Sequence, residues 1–231
     1  MNSVQFESYF KSIAKSDLFS NIPPSSIAEL LNNSTLENWQ KKTCFISKDV
    51  IHNKFHILIS GKIKAYNYDF RNDRRFTLFL LKENDLFDVF SLENKMEHNI
   101  HYEALKDSLV LSIPVFKMKQ WAHKNPAIHT ALTQYVLNRI LVLENFINDV
   151  VIEDTFTRLT KLFIKYIDKP TKKFTMINDL SHDELAQLIG TTRAVLNRHI
   201  QVFKDNGIIE VSRNSTQLKD YNKLLNMANN L

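Results

Sequence analysis

The 231-residue sequence holds only three glycines, Gly61, Gly190 and Gly207, where average usage of roughly 7% would supply about sixteen. Neither a G-x-G-x-x-G turn nor a G-x-x-x-x-G-K-[ST] loop can be written with glycines this far apart, which argues against Rossmann-type cofactor binding and P-loop nucleotide hydrolysis. Cysteine is scarcer still. Cys44 stands alone, so no intramolecular disulfide and no zinc or iron–sulfur site of several cysteines can form, and a reducing cytoplasm is the expected compartment. Long apolar runs are missing too. No window reaches roughly 18 uninterrupted apolar residues, so no membrane span is expected, and the opening residues from Met1 to Ser8 lack the basic start and apolar run of a signal peptide.

What is present is an ordinary globular composition, 44% hydrophobic and 24% charged, with a formal charge of +5. The excess is unevenly placed. Residues 1–154 carry 18 Lys and Arg against 18 Asp and Glu, whereas residues 155–231 carry 12 against 7. A neutral first part and a basic last part suggest two modules, the second meeting a polyanion.

The hydrophobic period changes along the chain. Phe6, Phe10, Ile13 and Ala14 form one helical stripe. A second helix with Ile27, Leu30 and Leu31 inward follows Pro23-Pro24, with a serine expected to cap it. From about Thr35 to Pro114 the pattern is that of strands: Phe55 to Tyr68, broken at Gly61, then Arg75–Leu81 and Ser108–Ile113, spaced as in an antiparallel barrel or roll. Pro126 to Val150 reads as one long helix, apolar on more than one stripe through Ile128, Leu132, Tyr135, Leu137, Ile140, Leu141, Phe146 and Ile147. Such a helix suits dimerisation, or burial within one large domain. A helix after Asp154 is expected to end at a polar linker, Asp168-Lys-Pro-Thr-Lys-Lys.

The stretch from Leu180 to Val211 carries the functional signal. Ser181 and Glu184 form a capping box, Ala186 permits close helix crossing, and Gly190 supplies the positive φ of a tight helix-to-helix turn. Thr192 then caps a second helix through Asn206, with Val195 or Leu196, Ile200 and Phe203 inward and Arg193, Asn197 and Arg198 outward. Gly207 ends it, and Ile208–Val211 with Thr216–Leu218 make a wing. This pattern is a helix-turn-helix with its recognition helix at 192–206, the plainer reading being a helical hairpin with solvated arginines. Arginine suits guanine O6/N7 and asparagine suits adenine N6/N7, so Arg193, Asn197 and Arg198 are the candidate base readers. Ser181, Thr191 and Thr192 are candidate phosphate contacts, and Lys172, Lys173 and Arg213 are candidates for flanking electrostatics.

These motifs together resemble the Crp/Fnr transcription regulators over roughly residues 20–231. The resemblance rests on the Leu-Ile-Ser-Gly-Lys-Ile-Lys strand turn, the long helix, and Leu-Ser-x-x-Glu-Leu-Ala-x-Leu-Ile-Gly-Thr-Thr-Arg followed by Asn-Gly-Ile-Ile. It implies an α+β fold: an antiparallel β-roll (a double-stranded β-helix, cupin-like) within residues 1–119, a dimerisation helix at 120–150 and a winged helix-turn-helix at 155–231. It also implies a homodimer on a pseudo-palindromic double-stranded DNA site, with RNA polymerase as a partner if the protein is an activator. The family's Ser/Thr-Arg-Glu-x-x-x-Arg pattern is met by Thr192, Arg193 and Arg198, but Ala194 replaces the glutamate and so removes an acceptor for cytosine N4. His199 takes a position that is usually apolar and is read as a packed histidine.

The family's cyclic-nucleotide binders share Gly-Glu followed by Arg-Ser or Arg-Thr. Here Asp88-Val89 and His98-Asn99 stand near those positions, and without the arginine a cyclic phosphate has no fixed counter-charge. Cyclic AMP is therefore not expected to bind, and an iron–sulfur cluster fails on cysteine count. Haem is left open, with His52, His56, His98 and His101 as candidate ligands; a metal pair of His52 and His56 would need a helix where the pattern reads strand. Tyr66, Tyr68, Phe70 and Arg71–Arg75 are read as a strand end and charged turn rather than a nucleic-acid patch. No catalytic motif is found. The rival to a DNA-binding regulator is a non-enzymatic ligand-sensing or protein-interaction module.

Overall fold

The computed structural model describes residues 3–46, 53–93, 99–212 and 215–229. The chain divides into two compact units, one built from residues 1–73 and 78–141 and the other from 74–77 and 142–231.

The first unit opens with α1 (Ser3–Ala14) and α2 (Pro24–Asn32). No serine caps α2. Pro23 is the N-cap residue and makes no side-chain cap bond, while Pro24 takes the first helical position, where the missing N–H costs nothing. Among the described residues eight strands follow: β1 (Thr35–Trp39), β2 (Cys44–Ile46), β3 (Lys54–Ser60), β4 (Ile63–Asp69), β5 (Arg74–Leu81), β6 (Leu86–Phe87), β7 (His101–Ala104) and β8 (Ser108–Pro114). They form two four-stranded sheets with orders β1-β8-β3-β6 and β2-β7-β4-β5. Consecutive strands mostly lie in different sheets, which is the winding of a roll.

Strand β3 is buried on both faces. Phe55, Ile57 and Ile59 pack with Ile13, Phe19, Leu30 and Trp121 on the helical side. Leu58 faces the roll interior with Trp39, Ile63, Phe87, Tyr102 and Val110. The turn into β4 depends on Gly61. Its φ is +103°, and a Cβ there would lie 2.3 Å from Ser108 Oγ and 2.6 Å from Ser108 Cα. The turn between β4 and β5 is a self-bonded charged turn in which Asp69 accepts from the Arg71 N–H and Asn72 Nδ2, while Tyr68 donates to Asp73. Six described residues other than glycine also have positive φ: Lys42, Asp73, Asn84, Asp88, Lys172 and Met176.

Helix α3 (Val115–Lys124) precedes α4 (Ala127–Ile152), so the boundary expected at 119/120 falls inside α3. The two apolar stripes of α4 have different fates. Ile128, Leu132 and Tyr135 pack on the first unit's core. The Tyr135 hydroxyl donates to the Leu86 carbonyl at 2.8 Å and accepts from the Leu86 N–H at 3.0 Å, while Arg139 pairs with Asp85 at 2.7 Å. Burial pushes the Tyr135 hydroxyl pKa up to about 12. The other stripe, Val136, Ile140, Ile147 and Val150, is exposed, with Leu143 half-buried between them.

In the second unit α5 (Thr155–Lys165) is capped by Asp154, which accepts from the Thr157 N–H at 2.7 Å; that bond, the largest influence on it, holds the carboxyl below its usual range. The expected polar linker is instead a small hairpin. Helix α5 has already ended at Tyr166, and β9 (Ile167–Asp168) pairs with β10 (Lys173–Phe174), with Asp168 accepting from the Thr171 N–H at 3.0 Å. Then come α6 (His182–Leu188), α7 (Arg193–Asp205), the wing strands β11 (Ile209–Ser212) and β12 (Ser215–Leu218), and α8 (Tyr221–Asn229).

Candidate nucleic-acid interface

Both helices of the reading motif start where their caps place them. Ser181 Oγ accepts from the Glu184 N–H at 3.2 Å, and Glu184 Oε2 accepts from the Ser181 N–H at 2.6 Å, a complete capping box. The serine hydroxyl also donates to Glu184 Oε2 at 2.8 Å, so this candidate phosphate contact is already engaged. Leu185, Ala186 and Leu188 are buried. The chain reverses at Gly190, φ +65°, with the Thr191 N–H donating to the Ala186 carbonyl at 3.0 Å. Thr192, extended, accepts from the Val195 N–H at 3.3 Å and starts α7.

Helix α7 is anchored along one side by Leu196, Ile200 and Phe203, all buried. Phe203 stacks on Phe156 at 5.0 Å and meets Phe163 edge-on at 5.2 Å. The opposite side exposes Thr192, Arg193, Ala194, Asn197 and Arg198, with Arg193 above Asn197 and Ala194 above Arg198 as two adjacent rows of residues four apart. His199 lies at the margin, half-buried, its Nε2 at 2.7 Å from Thr155 Oγ1 and its ring edge-on to Phe156. Desolvation lowers its pKa, Asp154 opposes that, and Arg198 adds to it.

Away from this face, Lys173 is exposed on β10, and Lys172 sits in a left-handed turn with its ammonium 3.8 Å from the Tyr221 ring centre. Arg213 lies outside the described residues. One contact on the reading face has no signature in the sequence: His182 Nδ1 lies 2.6 Å from Asn197 Oδ1, fifteen residues apart.

The roll interior is aromatic. His56, 1% exposed, stacks on Phe87 at 4.8 Å, and Phe87 meets Trp39 and Tyr102. Asp88 is buried with φ +54°, and its N–H donates to the Tyr102 hydroxyl at 3.1 Å. His101, on β7 beside inward Tyr102, packs instead on Tyr66 and Tyr68. His52 and His98 lie outside the described residues. Burial pushes the His56 imidazolium pKa down to about 4, against the pull of Glu37 and Asp88. A folded pKa below the unfolded value of roughly 6.5 means that the stabilisation is full above pH 6.5 and is lost as pH falls toward 4. Between pH 7 and pH 5 the wild type should lose about 2 kcal/mol more stability than His56→Leu. Urea titrations at the two pH values measure this, and parallel losses in both proteins would refute it.

A two-helix reader with outward arginines and a wing, preceded by a β-roll and a long helix, is the architecture of a DNA-binding transcription regulator. Residues 157–227 match the Crp-like helix-turn-helix domain. The chain is 21% identical to the CRP-like cAMP-activated global transcriptional regulator of Mycobacterium tuberculosis, over 94% of this chain and 98% of that one. It is 26% identical to the global nitrogen regulator of a Nostoc species, over 75% and 80% of the two chains. Among solved structures, the c-di-GMP responsive global regulator CLP of Xanthomonas campestris matches with a TM-score of 0.73 at 15% identity, over 86% of this chain and 100% of that one. Residues 157–227 thus form a Crp-like helix-turn-helix domain, and over most of its length the chain is similar to transcription regulators that carry one.

Proposed function

We propose that the protein works as a homodimer that reads a pseudo-palindromic DNA site, with the roll as sensor, α4 as the dimerisation element and residues 155–231 as the DNA-binding domain. The observation that carries the DNA reading is the exposed face of Arg193, Ala194, Asn197 and Arg198 on a helix whose other side is buried. The dimer is supported by the exposed row Val136, Ile140, Leu143, Ile147 and Val150. Its alternating steps of four and three are the spacing of a heptad seam. RNA polymerase is a further partner if the protein activates.

The effector is proposed to be something other than cyclic AMP. Asp88 at the place of the family's Gly-Glu, and an interior shared by Trp39, His56, Phe87 and Tyr102, support loss of the nucleotide cassette.

Because a bidentate arginine contact discriminates by roughly 1–3 kcal/mol per base, Arg193→Ala should weaken binding to the selected operator about tenfold or more while random DNA is bound nearly as before. Gel-shift titrations on both DNAs test this. Equal losses on the two would make Arg193 a phosphate contact, and wild-type affinity indifferent to salt would refute DNA binding itself.

A further inference from the structure

We infer that His182 is a positioning residue for DNA reading: it holds the Asn197 amide in one orientation and makes Asn197 a donor-only reader. The inference rests on the DNA-binding role proposed above. Asn197 is exposed on the reading face of α7 between Arg193 and Arg198, and His182, half-buried, is the first residue of α6. Their contact, Nδ1 to Oδ1 at 2.6 Å, joins the two helices of the motif directly on that face. An amide oxygen only accepts, so Nδ1 carries the proton and donates.

The chemistry that follows differs from that of a free asparagine. Reading adenine in the bidentate way requires the amide to offer its oxygen to N6–H and its nitrogen to N7 together. With Oδ1 turned to His182, the group left to face the groove is the NH2, which has donors and no acceptor. Such a group is best satisfied by guanine, which presents two acceptors, O6 and N7, whereas adenine presents N7 alone beside the N6–H donor and thymine presents O4 alone. His182 thereby sets which base Asn197 prefers without touching a base.

Selection of bound fragments from a random DNA pool, with the purified full chain and its variants, tests this. Asn197→Ala first locates the base position that Asn197 reads, as the one whose preference disappears. The wild type should prefer guanine there, on the order of tenfold over adenine. His182→Ala should bring that preference to within about twofold or turn it toward adenine, while the preferences lost in Arg193→Ala and Arg198→Ala stay in place. His182→Gln, whose side-chain amide can still donate, should restore the wild-type pattern. An unchanged pattern in His182→Ala, with uniformly weaker binding and a shallower salt dependence, would make His182 a phosphate contact and overturn the inference. A wild-type preference for adenine at that position would overturn it equally. Failure of the wild-type chain to bind any DNA would instead overturn the DNA-binding reading on which the inference stands.

Discussion

Phe203→Ala should cost about 3–5 kcal/mol of stability, the range for truncating a fully buried phenylalanine, and with it the specific DNA affinity. Phe203 is fully buried at the far end of α7, stacked on Phe156 and edge-on to Phe163, which itself packs on Phe174 at 4.9 Å. Those rings come from α5, α7 and the β9–β10 hairpin, so one truncation opens a cavity shared by three elements. The neighbours are rigid aromatics that close a void poorly, which places the cost toward the upper end. Urea unfolding gives the stability change. Phe203→Leu, which keeps most of the volume, should recover at least half of it, and a loss below about 1 kcal/mol in Phe203→Ala would show that the cluster collapses freely.

The second large effect concerns the exposed seam of α4. Ile140 is 52% exposed and Ile147 is 59% exposed, and they occupy equivalent positions one heptad apart. Placing Glu at both sets like charges against one another across a two-fold seam and removes its apolar core. Ile140→Glu/Ile147→Glu should therefore sediment as a monomer. Its affinity for a full palindrome should fall by roughly 10²–10⁴, the factor contributed when a second half-site is bound intramolecularly. Affinity for an isolated half-site should be nearly unchanged, because neither position lies on the reading face. A variant that remains dimeric would remove α4 from the interface.

Features set by neighbours in the chain were legible before the structure. The Ser181–Glu184 box, the Gly190 turn, the Thr192 cap and the β3–β4 turn at Gly61 each involve residues within a few positions of one another, and each is found as read. Features set by long-range packing were not. Nothing near His182 shows that it meets Asn197, because that contact exists only once α6 crosses α7. Strand β3 hid its two faces for a related reason: it is buried on both, so Phe55, Ile57 and Ile59 could not be separated from Leu58 by polarity. Pro170 misled because it sits in the tip of a hairpin, past a helix that had already closed on Tyr166. In α4 the excess of apolar residues was readable, but which stripe faces the chain's own roll was fixed only by Tyr135 meeting Leu86.

The left-handed turns bear on the unfolded chain as much as on the folded one. Lys42, Lys172 and Met176 hold positive φ, a conformation costing an ordinary residue roughly 1–2 kcal/mol. A glycine at each would relieve that strain, yet it would widen the unfolded ensemble and give back roughly 0.5–1 kcal/mol. About half of the strain is offset in this way, so a chain this poor in glycine keeps a net cost of roughly 0.5–1 kcal/mol at each such turn. What it acquires is a denatured state with fewer conformations to search, and turns whose bends are imposed by the fold around them.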